Sequence, residues 1–104
     1  MQKNFIVPFN SVEFSLFEGR KRTIYDIYAA MLQVCQKPQN KTHIMYKTNT
    51  TYISFAKNLQ FLQEAGLLQQ ELLSKNEFQI TEQGRIFLEK YGEMRQLLDG
   101  NLRA

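Results

Sequence analysis

The amino-acid sequence predicts a mainly α-helical fold with one small β-hairpin. Three segments between residues 23 and 66 repeat apolar residues at helical spacing, and a fourth does so after residue 81. Two short strand-like segments, joined by polar turn residues, lie between the third and fourth helices. This order of elements is typical of a helix-turn-helix followed by a β-hairpin wing and a C-terminal helix.

Length and composition indicate one soluble domain. The chain has 104 residues, 43% of them hydrophobic and 22% charged, with a net charge of +3, which permits nucleic-acid binding without requiring it. Cys35 is the single cysteine, which excludes an internal disulfide and a cysteine-based zinc site. No apolar run is long enough to span a membrane. We therefore expect a cytoplasmic protein without membrane contact, with an N-terminal arm at 1–22 and the folded domain at 23–104.

The N-terminal arm alternates apolar and polar residues, as a strand does. Val12, Phe14 and Leu16 share one face, with polar residues between them. Such a strand either covers the core of its own domain or is exchanged with a second subunit. The following basic cluster, Arg20-Lys21-Arg22, either contacts phosphate or is a solvated entry to the first helix.

The first helix is predicted at residues 23–36. Thr23 supplies an N-cap, and Asp26 adds negative charge in the first turn. The apolar residues at helical spacing predict the buried face, formed by Ile24, Ile27, Tyr28, Met31 and Cys35.

A short second helix is expected at residues 42–46, capped by Thr42, and a break at residues 47–49 separates it from the third helix. The third helix has an apolar stripe that predicts its buried side, formed by Tyr52, Phe55, Ala56, Leu59 and Leu62. The opposite side is predicted to be the exposed face, formed by Thr51, Ser54, Lys57, Asn58 and Phe61. This polar face suits either contact with base edges or simple solvation.

A hairpin at residues 67–70 and 77–80 forms the predicted wing, with Lys75 at its tip between Glu71 and Glu77. Thr81 then caps a final helix that contains Gly84, a residue whose cost in a helix indicates close packing against another element. We expect this helix to be short and broken at Gly92 and Gly100, and either to mediate dimerisation or to fold back onto the first helix.

The sequence lacks the motifs that would indicate an enzyme. The chain has one histidine, His43, no glycine-rich phosphate loop and no HExxH motif. We therefore expect no catalytic activity, no metal and no cofactor.

The segment KTHIMYKTNTTYISFAKNLQFLQEAGLLQQ, followed by FQITEQGRIFLEKY, resembles the small archaeal winged-helix DNA-binding proteins, a group that includes a Sulfolobus-type chromatin-associated protein. The resemblance covers roughly residues 23–92. It implies a homodimer on double-stranded DNA with the third helix in the major groove, and it marks Tyr52 as an ambiguous contact because the apolar stripe buries it.

Combining this resemblance with the exposed polar faces, we expect a small dimeric transcription regulator associated with the nucleoid, dimerised through the C-terminal helix or the N-terminal arm. A winged-helix module that binds protein and not DNA is the alternative, favoured by an exposed Phe61 and the acidic flanks of the wing. The predicted DNA-contacting residues are Arg20, Lys21, Arg22, Thr42, Lys47, Asn49, Thr51, Ser54, Lys57, Asn58 and Lys75.

Overall fold

The computed structural model describes residues 22–103, with side chains described for residues 22–99. The predicted N-terminal strand, and Arg20 and Lys21, lie outside the described residues. The described elements, in chain order, are the helix α1 (Ile24–Val34), strand β1 (Gln39–Asn40), helices α2 (Lys41–Thr48) and α3 (Tyr52–Glu64), strands β2 (Leu68–Gln70) and β3 (Glu77–Ile80), and helix α4 (Glu82–Arg103). The predicted winged helix-turn-helix is confirmed.

Helix α1 begins with the predicted cap and lies at the centre of the core. The Thr23 hydroxyl accepts from the Asp26 backbone N–H at 3.2 Å, and the Asp26 carboxylate accepts from the Thr23 N–H at 2.8 Å, which completes a capping box. Met31 and Cys35 are fully buried as expected. Ile24 was expected to be buried as well, but it is 42% exposed, because it lies in the first turn, beyond the edge of the packed elements.

The second helix begins one residue earlier than expected. Asn40, not Thr42, is its N-cap: the Asn40 side chain accepts from the His43 backbone N–H at 2.8 Å. The predicted cap was wrong because Asn40 is the last residue of β1, where the extended backbone places its side chain over the first turn of α2. Ile44 is buried, as predicted.

The turn between α2 and α3 depends on a left-handed residue. Asn49 has φ 54° and ψ 53°, a conformation that Asn tolerates better than most non-glycine residues. The Arg22 guanidinium donates to the carbonyls of Thr48 and Asn49, both at 3.2 Å, and so satisfies acceptors that the end of α2 leaves open. The Thr48 hydroxyl is buried and donates to the Ile44 carbonyl at 2.8 Å.

Helix α3 is capped by Thr51, but its buried face is rotated from the predicted one. Phe55, Leu59 and Leu62 are buried as expected. Tyr52 is 71% exposed and Ala56 is exposed, so the expectation that they face inward was wrong. Asn58 completes the buried stripe in their place, because its amide can donate to the Ser54 hydroxyl at 3.3 Å and so needs no water there.

The hairpin β2–β3 occupies the predicted position and forms the wing. A third strand, β1, was not predicted; it pairs antiparallel with β3, with Gln39 opposite Phe78, and gives the sheet order β1-β3-β2. A strand of two residues shows no alternation, so the sequence gives no periodic signal for it. The pairing places the N-terminus of α2 beside the wing.

Helix α4 is longer than expected: it runs unbroken for 22 residues to Arg103, so the predicted breaks at Gly92 and Gly100 were wrong. Close packing at Gly84 is confirmed, because an added Cβ would lie 2.4 Å from the Leu67 carbonyl oxygen. The first half of α4 packs on α1, where the buried Tyr91 hydroxyl donates to the buried Asp26 carboxylate. Tertiary packing here outweighs the low helix propensity of glycine.

Candidate nucleic-acid interface

The surface that α3 presents to solvent differs from the face predicted for it. Among the exposed side chains of α3, Ile53, Lys57, Gln60 and Glu64 point most directly away from the buried stripe. Tyr52 and Ala56 extend this surface on the side toward α2. Lys57 is thus the one predicted contact at the centre of the exposed face of α3.

The N-terminus of α2 and the wing meet at one groove, which is lined by Asn40, Lys41, Thr42, Ser74, Asn76 and Glu77. A second, smaller groove connects Lys41 to the exposed flank of α3 at Tyr52 and Gln60. The start of α2 therefore lies between the wing and the exposed face of α3. These three parts form a continuous surface, which we call the α2–α3–wing surface.

Charge is distributed unequally along the chain. Residues 27–63, which span most of α1, α2 and α3, contain four lysines (Lys37, Lys41, Lys47 and Lys57) and no Asp or Glu. Residues 64–99 contain four basic and seven acidic residues, a net charge of −3. Residues 27–63 therefore carry a net charge of +4, and all four lysines are exposed. Of the described acidic residues, Asp26 lies in the first turn of α1 and Glu64 ends α3, and the others lie on the wing and α4.

The predicted contact residues fall into two groups. Exposed side chains on the α2–α3–wing surface or beside it are Thr42, Lys47, Lys57 and Lys75. The other described residues hold the helix-turn-helix in shape through hydrogen bonds or backbone conformation: they are Arg22, Asn49, Thr51, Ser54 and Asn58.

The expectation that Asn58 lies on the exposed face was wrong, since its side chain is only 6% exposed. Ser54 is half-buried and accepts the Asn58 amide, so both polar groups are directed at each other. Thr51 is exposed, and its hydroxyl accepts from the Ser54 backbone N–H at 3.3 Å.

Sequence reasoning missed Lys41 and Gln60, which are exposed on the α2–α3–wing surface. The absence of acidic residues from 27–63 was available in the sequence and would have drawn attention to Lys41. The resemblance marked Tyr52 as an ambiguous contact, because an aromatic residue at helical spacing is usually buried; its side chain is exposed on the same surface.

The wing tip is polar at Lys75 and Asn76, both exposed, and Glu71 and Glu77 beside them are half-buried. The Gln70 side-chain amide donates to the Lys75 carbonyl across the loop. Leu72 and Leu73, in the same loop, are almost fully exposed at 93% and 101%. The acidic flanks are therefore turned partly inward, and the loop presents two leucines that sequence reasoning did not single out.

The described part of the chain holds no cluster of metal-binding side chains, and its thiol is buried. Within residues 22–99 no three His, Cys, Asp or Glu side chains form a group that could hold a metal ion. Cys35 is buried, and burial raises the pKa of its thiol from 9.0 to about 12, which opposes formation of the reactive thiolate. None of the described helices is both long and apolar enough to cross a membrane.

Comparison with known proteins supports the resemblance inferred from the sequence. The chain matches the winged helix-turn-helix family over residues 21–99. It is similar in structure to Sso10a-2, a DNA-binding protein from Sulfolobus solfataricus, with a TM-score of 0.63 and 25% sequence identity over 79% of this chain and 86% of that chain. No curated protein matches the sequence. The chain is a member of the winged helix-turn-helix family.

Proposed function

We propose that the protein binds double-stranded DNA through the α2–α3–wing surface, with α3 in the major groove. The observation that carries this proposal is the segregation of charge: residues 27–63 have four exposed lysines and no carboxylate. A duplex presents a dense array of phosphates, so binding to its backbone favours cations and is opposed by nearby carboxylates. Membership of the family and the similarity to a DNA-binding protein give further support.

The surface offers both kinds of contact that such a complex uses. Lys41 and Thr42 lie in the first turn of α2, where backbone N–H groups and the helix dipole favour a phosphate. Lys57 and Gln60 lie on the exposed face of α3 and carry groups that read guanine and adenine edges, respectively. Under this proposal the α2 residues fix the register and the α3 residues discriminate sequence.

The remaining predicted residues take supporting roles in the same proposal. Lys47 and Lys75 are exposed at the end of α2 and at the wing tip, where each would contact the flanking backbone. Arg22, Asn49 and Thr51 hold the turn and the start of α3 and so orient the exposed face. Arg20 and Lys21, which precede the described residues, would add phosphate contacts.

Fluorescence-anisotropy titrations of a random duplex at 50 and 200 mM salt test the proposal. With about four phosphate contacts, affinity should fall about 100-fold between these salt concentrations. Lys41→Ala, which removes a proposed phosphate contact, should weaken binding and reduce the salt slope by about 1. Lys90→Ala is the matched control, since Lys90 is exposed on α4 outside the α2–α3–wing surface. Equal effects of the two substitutions, or binding that does not depend on salt, would contradict the proposal.

We further propose that the protein is a homodimeric, nucleoid-associated transcription regulator. The second half of α4 exposes Met94, Leu97 and Leu98, which are 43%, 68% and 47% exposed, and this stripe suits a helix-to-helix dimer contact. Sedimentation of Leu97→Asp beside Gln96→Asp tests the contact, because only the first removes apolar surface. An N-terminal arm that is exchanged between subunits would instead leave the dimer intact in both variants.

A protein-binding module is the second candidate, and the wing favours it. Leu72 and Leu73 are adjacent and almost fully exposed, and paired exposed apolar residues more often mark a protein contact than a phosphate contact. Absence of duplex binding even at 50 mM salt, together with normal folding, would favour this candidate over DNA binding.

A further inference from the structure

An apolar groove of about 510 Å³ runs between α1 and α3. Its walls include Ile24 and Tyr28 from α1 and Ile53 and Phe61 from α3. The Tyr28 and Phe61 rings stack at the inner end, with centroids 4.9 Å apart and planes 13° apart. We call this the α1–α3 groove.

The α1–α3 groove exposes more apolar surface than a solvated face requires. Ile24, Ile53 and Phe61 are 42%, 73% and 46% exposed, and Tyr25 beside them is 56% exposed. Contiguous apolar side chains of this kind mark a surface that another segment covers. DNA is a poor occupant, because the wall residues within the described part of the chain include one cation, Lys57, among aliphatic and aromatic groups.

We propose that residues 12–17 of the same chain lie in the α1–α3 groove as an extended segment, with Phe14 and Leu16 against its apolar walls. Apolar and polar residues alternate from Val12 to Leu16, which gives this stretch one apolar face. The segment precedes α1 directly, and α1 begins at the groove itself, since Ile24 is both its first residue and a wall residue. The proposed occupant is thus connected through the chain to a residue that lines the groove.

Chain length and direction agree with this placement. Arg22 is held against the α2–α3 turn by its bonds to the Thr48 and Asn49 carbonyls, which fixes where the chain enters. The placement requires a reversal of the chain over residues 18–21; four residues is a common connection length, and Gly19 suits a turn. Six extended residues span about 20 Å, and the ten steps along the helix from the Thr51 cap to Phe61 span about 15 Å, so a segment of the length of residues 12–17 can reach along the full groove.

The groove overlaps the proposed DNA surface at one edge. It covers the α3 side that carries Ser54, Asn58 and Phe61 and shares Ile53 and Lys57 with the exposed face of α3, whereas Tyr52, Ala56 and Gln60 point to the other side, toward α2. The test of the inference contains no DNA, so its result is independent of the proposed function.

A tryptophan introduced into the groove tests the proposal in the full-length chain. The sequence contains no Trp, so Phe61→Trp gives a single reporter. In this background, Phe14→Asp with Leu16→Asp should raise acrylamide quenching of the indole roughly twofold or more and shift its emission to the red, because the indole loses its cover. Ser11→Asp with Ser15→Asp is the matched control: it adds the same charge to the polar face and should change neither signal.

Each outcome bears on the proposal. Equal quenching in the two double variants would overturn it. Quenching that increases when Phe61→Trp with the natural arm is diluted would also overturn it, because dilution separates subunits and the occupant would then be the arm of a second copy. Ile53→Trp provides a second reporter at the rim, where 73% exposure means that the substitution does not disturb the core; it should report the same difference between the double variants.

Discussion

Gly84→Ala should destabilise the protein, although alanine is the better helix former. Gly84 lies in the first turn of α4, where an added Cβ would approach the Leu67 carbonyl oxygen to 2.4 Å and the Ile80 Cγ1 atom to 2.5 Å. The Leu67 carbonyl is a backbone group and cannot rotate away from the added Cβ, so α4 must shift away from the wing. Overpacking of this kind costs about 1–3 kcal/mol, and in this rigid position we expect the upper half of that range.

The gain in helix propensity offsets about 1 kcal/mol of this cost. The net loss should be about 1–2 kcal/mol, which corresponds to a decrease in Tm of roughly 4–16 °C for a domain of this size. Urea denaturation and thermal melts followed by circular dichroism measure both quantities. An unchanged or raised Tm would refute the inference that close packing selects glycine here.

Gly66→Ala is the matched comparison. No atom lies within 4 Å of an added Cβ at Gly66, but its φ of +80° is unfavourable for a residue with a side chain. The expected cost is about 1 kcal/mol from backbone conformation alone, without displacement of α4. Hydrogen–deuterium exchange of the backbone amides where α4 meets the wing should therefore be faster in Gly84→Ala than in the unsubstituted protein, and it should be unchanged in Gly66→Ala.

Three further predictions concern single side chains. Tyr91→Phe removes one donor from the buried Asp26 carboxylate and should lower the free energy of unfolding, measured by chemical denaturation, by about 1.5–3 kcal/mol. Tyr25 is 56% exposed, so Tyr25→Phe should be neutral; equal losses from the two substitutions would contradict the buried contact. Thr51→Ala removes the α3 cap and should cost about 1 kcal/mol, and Thr42→Ala, which is not a cap, should cost little; the reverse order would restore Thr42 as the cap. Cys35 should resist alkylation at pH 8 in the folded protein, because burial raises the pKa of its thiol to about 12; rapid alkylation of the native protein would contradict that burial. Since this pKa is above the value in the unfolded chain, the free energy of unfolding should decrease as pH rises from about 9 to 12.

The helices and the hairpin could be predicted because their signals are local. The Thr23 cap, the spacing of Phe55, Leu59 and Leu62, and the turn residues of the wing each specify an element without reference to the rest of the chain. Gly84 was also informative, because its cost in a helix is justified only by a close neighbour.

Features that depend on distant partners were not predicted. The exposed face of α3 is rotated relative to the predicted one, because Asn58 is buried with its amide bonded to Ser54 and Tyr52 is exposed. Neither fact follows from the hydropathy of the side chain. Strand β1 exists through its pairing with β3, and α4 continues past Gly92 in part because Tyr91 is anchored to Asp26 on α1. The candidate site was therefore located on the correct helix but partly on the wrong side of it.

The central claim is that the exposed face of α3 lies against DNA, and a photo-crosslinker attached to Gln60→Cys tests it most directly. The native thiol at Cys35 is buried and should not be labelled, so the introduced cysteine carries the probe. Gln96→Cys, an exposed glutamine on α4, is the matched control. We expect crosslinks to duplex DNA from position 60, at major-groove edges of the bases, and few from position 96. Equal yields from the two positions, or crosslinks confined to position 96, would contradict the assignment of α3 as the DNA-reading helix.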